Sequence, residues 1–184
     1  MTMRVLTISG SLRPDSLNTL LLRAAEEQAP AGVEIDRFDL LADIPPFHGD
    51  RSDSGPAPAA VQELRDRIAA ADAVLIATPE YNGSIPGALK NALDWASIPF
   101  PDNALRGKPV AVIGASTGAY GGMWAQAELR KVLGIIGARV TNADLALPKA
   151  HEHFGDDGTL GAAHTGRLSS VIESLLAEAP PIAA

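Results

Sequence analysis

Strand-length apolar runs and amphipathic helical stretches alternate along this chain, and no other feature restricts its fold as strongly. The apolar runs fall at 5–8, 33–40 (in mixed form), 73–78, 110–113 and 140–145. Between them Leu17, Leu20, Leu21, Ala24 and Ala25 repeat at helical spacing, as do Val61, Leu64 and Ile68. Leu89, Ala92, Leu93 and Ala96 form a third stripe, Leu129, Val132, Leu133 and Ile136 a fourth, and Leu168, Val171, Ile172, Leu175 and Leu176 a fifth. Five strands alternating with five helices predict an α/β doubly wound parallel sheet with helices on both faces. The first, third and fourth runs are apolar without alternation, as strands covered on both faces should be.

The size suits one core: 184 residues, 46% of them hydrophobic, predict a single domain over 1–178 followed by a disordered tail at 179–184. The segment 43–58, DIPPFHGDRSDSGPAP, breaks the pattern with turn residues and reads as a long loop, either a solvated connection or a flap over the site. A net charge of −7 with no cluster of cations in the sequence argues against a nucleic-acid partner. Cysteine is absent, which excludes disulfides, iron–sulfur clusters and thiol nucleophiles, so any redox chemistry needs a borrowed cofactor. The opening MTMRVLTISGSLR is too short for a secretory signal, and no apolar run reaches membrane-spanning length, so the expectation is a cytoplasmic protein without a membrane partner.

Ligands of an open α/β sheet bind beyond the carboxyl ends of its strands, so three loops should carry the function. The first, 9–19, offers Ser9, Ser11, Arg13, Ser16 as an N-cap, Leu17 and Asn18, an inventory for one phosphate dianion at a helix start. It lacks the spacing of a nucleotide P-loop and of a dinucleotide fingerprint. A cap alone has no use for Arg13, whose charge opposes the positive helix end, and this favours an anion. The third loop supplies Pro79, Glu80, Tyr81, Asn82 and Gly83, with Pro86 suited to a first helical position. Gly83 would let backbone N–H groups approach a flat ligand, and the following helix would favour negative charge there.

The fourth loop, GASTGAYGG, holds Ser116, Thr117 and Gly118. GASTG also fits a G-x-S-x-G nucleophile elbow, followed in order by Asp144 and His151, so a serine hydrolase is an alternative. The H-E-H run at 151–153 reads as surface histidines rather than a metal site. Trp95 with Pro99, Phe100 and Pro101 reads either as core or as a subunit contact.

Taken together, GSLRPDSLN, TPEYNGSIPGALKNALDW and GASTGAYGG, each after the proper strand, resemble the NAD(P)H-dependent FMN reductase family, a flavodoxin-like group that includes chromate and quinone reductases. The resemblance implies strand order 2-1-3-4-5, bound FMN, and NADPH or NADH as electron donor. It further implies a small acceptor such as a quinone, flavin, azo compound or chromate, and a homodimer or homotetramer. On this chain Ser9, Ser11, Arg13, Ser16, Leu17 and Asn18 would face the FMN phosphate, and Pro79, Glu80, Tyr81, Asn82 and Gly83 would hold the ring. Ser116, Thr117 and Gly118 would border it from the other side. No catalytic side chain is expected, because the flavin carries the chemistry. A passive electron carrier of flavodoxin type is the nearest alternative. A preference for NADPH needs a cation at the 2′-phosphate, for which Arg51 is one candidate.

Overall fold

A computed structural model describes residues 2–49 and 56–179. Its strands are β1 (Met3–Ser9), β2 (Val33–Phe38), β3 (Ala73–Ala77), β4 (Pro109–Ala115) and β5 (Arg139–Leu147), and its helices α1 (Leu17–Glu27), α2 (Ala59–Ala70), α3 (Gly87–Ala96), α4 (Met123–Ile136) and α5 (Ala162–Glu178). All strand pairs are parallel, in the order β2-β1-β3-β4-β5. The chain winds from β1 out to β2 and then returns past β1 to β3, so the order reverses at β1, where such sheets bind ligands.

Alternate side chains of the strands point into two cores. Leu6, Ile8, Val74, Ile76, Val110 and Val112 pack under α2, α3 and α4, while Val5, Leu75, Ala77, Ala111, Ile113, Leu145 and Leu147 pack under α1 and α5. Both faces are therefore apolar, which is why β3 and β4 read as unbroken apolar runs. The first helix is turned slightly from its sequence-based stripe: Leu22 is buried with Leu21, Ala24 and Ala25, while Leu17 and Leu20 are half-exposed. Pro86 stands one residue before α3, as its N-cap rather than its first helical residue.

Trp95 is fully buried and belongs to the core, not to a contact surface. Its Nε1–H donates to Pro45 O at 2.8 Å and its ring meets Phe47 edge-on at 5.1 Å. Asn91 completes this fastening, with Nδ2 donating to Pro45 O at 3.0 Å and Oδ1 accepting from Phe47 N at 2.7 Å. The beginning of the long loop is thus tied to α3; residues 50–55, with Arg51, lie outside the described residues. Ala179 caps α5 and packs on the second core, and the rest of the expected tail, 180–184, lies outside the described residues.

The end of the sheet nearest the site is set by a bulge. The β4–β5 register shifts between Val110 and Val112, after which Ala115 lies opposite Leu147. Arg130, half-buried on α4, donates to the carbonyls of Thr141 (2.7 Å), Val112 (3.1 Å) and Ala143 (3.0 Å), satisfying oxygens that the irregular ladder leaves free. Its desolvation lowers its pKa from the ordinary arginine value, partly offset by Asp144.

Candidate active site

Ser16 opens α1 from extended backbone, and its Oγ accepts from Asn18 N at 3.2 Å, as the sequence predicts for an N-cap. The Leu17 N–H that follows meets no acceptor among the described residues, as expected at the start of a helix. Arg13 beside it is exposed, and its guanidinium has no partner among the described residues. Gly10 brings this loop against the one after β3: its N–H donates to Ala77 O at 2.8 Å, and a Cβ there would stand 2.9 Å from Leu89 Cδ2 and 3.3 Å from Pro79 Cδ. A larger residue there would crowd Leu89 and Pro79 and push the two loops apart.

The loop after β3 folds into a tight turn. Tyr81 and Ser84 exchange both backbone hydrogen bonds (3.0 and 3.1 Å), and Asn82 and Gly83 between them have φ of 55° and 75°. Two positive φ values in a two-residue loop mark the Asn-Gly hairpin turn, a signal legible in EYNGS that the sequence reading used only as glycine permissiveness. Around Gly83 a Cβ would meet nothing within 4 Å, so the glycine serves the turn and not a close packing contact. The N–H groups of Asn82 and Gly83 donate to no acceptor among the described residues.

A cleft of about 220 Å³ joins the three loops, lined by Ser11, Arg13, Asp15, Ser16, Leu17, Asn18, Pro79, Glu80, Tyr81, Ala115, Ser116 and Thr117. Ser9, Asn82, Gly83 and Gly118 lie outside that lining. Ser9 instead bonds Thr19 Oγ1 at 2.9 Å, and Gly118 N donates to Ser116 Oγ at 3.1 Å. Asn18 is buried: its Nδ2 donates to Ala115 O and its Oδ1 accepts from Ala115 N, both at 2.9 Å, bolting α1 to the end of β4. Asp15 and Ala115 were not anticipated; Ala115 enters because it ends β4, a boundary that periodicity alone does not locate.

Glu80 has a second task that the sequence conceals. Helix α4 begins at Gly122, φ 77°, which has no side chain to cap it. The Glu80 carboxylate does so from another loop, its Oε2 accepting from Trp124 N at 3.0 Å and Ala125 N at 3.1 Å. Its charge also suits the positive helix end.

The hydrolase arrangement does not form. Ser116 Oγ engages Gly118 N, whereas Asp144 stands opposite Val112, three residues down β5 from Leu147 at the strand's site end. That is about 10 Å at strand rise. His151 is exposed beside Glu152, 3.8 Å away. Among the described residues no group of three or more His, Asp or Glu could hold a metal.

An open cleft at the switch point of a five-stranded parallel sheet, with the Leu17 N–H and the Arg13 guanidinium unpartnered among the described residues at one end and Tyr81 of a tight turn at the other, defines a flavodoxin-like domain. The family is shown directly: the chain belongs to the NADPH-dependent FMN reductases, matching that family over residues 3–152. It is 43% identical over 140 residues to a quinone reductase of Escherichia coli (strain K12), covering 76% of this chain and 74% of the relative. An NAD(P)H-dependent FMN reductase of Pseudomonas aeruginosa is 42% identical over 158 residues, 85% of this chain and 84% of the relative. Among solved structures, the flavoenzyme NAD(P)H:(acceptor) oxidoreductase FerB of Paracoccus denitrificans superposes with a TM-score of 0.84 at 33% identity, over 97% of this chain and 100% of that one. The protein is accordingly an FMN-dependent NAD(P)H oxidoreductase. No helix among the described residues is long and apolar enough to cross a membrane.

Proposed function

We propose that the protein is a cytoplasmic, homo-oligomeric quinone reductase, a single domain over 1–178 whose three-loop cleft holds FMN with its phosphate at the start of α1 and its ring along the turn at 79–84. The observation that carries this reading is that one cleft brings Ser11, Arg13, Ser16 and Leu17 of the first loop together with Pro79, Glu80 and Tyr81 of the third, and that the Leu17 N–H and the Arg13 guanidinium in it have no partner among the described residues. These residues fit the cofactor. Ser11 and Ser16 add hydroxyls, Arg13 adds the cation that a phosphate dianion needs, and Gly10 closes the distance between the two loops.

FMN, when bound, supplies the redox chemistry, accepting hydride from a nicotinamide and passing the electrons to the acceptor. The chain itself positions and biases. N–H groups of Asn82 and Gly83 beside the ring would favour the negative charge that reduction brings, and the N-terminal end of α3 adds a positive potential in the same loop. Glu80, by holding α4 to the ring loop, fixes the spacing between the two walls. Tyr81, 48% exposed at the rim, leaves one side of the cleft open for donor and acceptor to use in turn. A quinone acceptor is supported by the name of the Escherichia coli relative.

The test is an absorbance spectrum of protein reconstituted with FMN and desalted, followed by anaerobic addition of NADPH or NADH. Retained flavin that bleaches within seconds, and reoxidises on adding a benzoquinone, is the expected result. Flavin that bleaches only slowly would indicate an electron carrier, and a colourless protein would overturn the reading. Ser116→Ala keeps reductase activity, since Ser116 lines the cleft without acting as a nucleophile.

A further inference from the structure

A second hollow, of about 340 Å³, lies on the far side of the phosphate loop, where β2 ends. Cations dispersed in the sequence converge there: Arg13, Arg23 and Arg37 all line it, in a protein whose net charge is −7. Arg37 is committed to Glu26, to which its Nε donates at 3.0 Å. Asp39 is the other acid in the lining. Arg23 is exposed on α1, and its guanidinium has no partner among the described residues. The same lining contains apolar side chains, the exposed Leu12 and the largely buried Leu22, Phe38 and Leu41. A guanidinium unpartnered among the described residues and apolar side chains lining one hollow suit a ligand that joins a phosphate to a flat heterocycle.

The topology says which ligand can reach it. Ser11 and Arg13 border this hollow and the flavin cleft alike, so the two are continuous around the phosphate loop. In the sheet order, β1 alone separates β2 from β3, which places the hollow two strand spacings, roughly 10 Å, from the ring loop. An extended dinucleotide with its nicotinamide over the ring spans that interval.

Resting on the flavin-reductase reading above, we propose that this hollow receives the 2′-phosphoadenosine end of NADPH, with Arg23 meeting the 2′-phosphate and the apolar lining of Leu22, Phe38 and Leu41 meeting the adenine. The hollow therefore makes the enzyme prefer NADPH to NADH.

Calorimetric titration of the FMN-loaded protein with adenosine 2′,5′-bisphosphate and with 5′-AMP tests the site without turnover. The bisphosphate should bind roughly tenfold or more tighter, the scale of one charged hydrogen bond, and Arg23→Ala should abolish the difference. In steady state the same variant should raise KM for NADPH by about tenfold while moving KM for NADH by less than about twofold. Arg23→Glu should reverse the preference. Equal affinity for the two adenosine nucleotides, or a difference that survives in Arg23→Ala, overturns the proposal. The visible absorbance of the same preparations separates the two levels: a colourless protein counts against flavin binding itself, whereas a coloured one with Arg23-independent nucleotide binding counts against this hollow alone.

Discussion

Two charged residues of the cleft divide its work. The Arg13 guanidinium has no partner among the described residues, so a cation at this helix start has no structural account and a phosphate is its natural partner. Arg13→Ala should weaken FMN by roughly 1.5–3 kcal/mol, measured by flavin titration, while the flavin-free protein unfolds as before; unchanged affinity would sink the phosphate assignment. Glu80 does the opposite, since its carboxylate is engaged with the first turn of α4. Glu80→Ala should cost about 1–2 kcal/mol of stability in urea unfolding, the scale of a lost cap, and loosen the flavin as well, because cap and ring loop move together. Glu80→Gln, which retains an accepting oxygen without the charge, should fall between. Arg13 was legible because a cation there is costly without a ligand, whereas the role of Glu80 spans a sequence separation of 44 residues that no local pattern encodes.

At the scale of elements, helices and strands follow their apolar periods, and the deviations have local causes. The β4–β5 bulge is invisible in the sequence because Arg130, which stabilises it, sits on a helix and looks like an ordinary surface cation. The start of α5 carries a further departure. His153, read as a surface histidine, stacks against His164 with ring centroids 4.2 Å apart, and His164 Nδ1 is buried without a hydrogen-bond partner among the described residues. Burial first, then the charges of His153 and Arg167, hold the His164 pKa below its ordinary 6.5. The unfolded chain then takes up a proton below about pH 6.5 while the folded one resists it, so stability falls as pH drops from there through the folded pKa; above both values the group contributes nothing. His164→Leu should flatten this acid limb in urea midpoints measured between about pH 5 and 7.5, and an unaltered limb would place its origin elsewhere.

For the molecule as a whole, an exposed apolar surface beside α3 and α4 bears on self-association. Phe100 and Ile135, each 68% exposed, flank a hollow on the α3–α4 side with Val132 and Ile136, rimmed by the Lys90–Asp94 ion pair. A patch carrying both charge signs on its rim can complement itself about a two-fold axis, so the proposed self-association is tested there first. Ile135→Asp should shift the protein to monomer in light scattering while FMN stays bound; an oligomer that survives would move the interface elsewhere. Of the cluster around Trp95, the indole is core while Pro99, Phe100 and Pro101 are exposed. The sequence by itself determined the layers, the alternation of strands and helices, the N-cap at Ser16 and the three loops that form the cleft, because each depends on period, propensity or turn chemistry acting over a few residues. Only the tertiary structure decided which side chains of those loops face the cleft, that Asn18 bolts α1 to β4, that Glu80 caps a helix from another loop, and that Arg13, Arg23 and Arg37 converge at the end of β2. These pairings join residues far apart in the chain, and their geometry exists only once the parallel crossovers have brought the strand ends together.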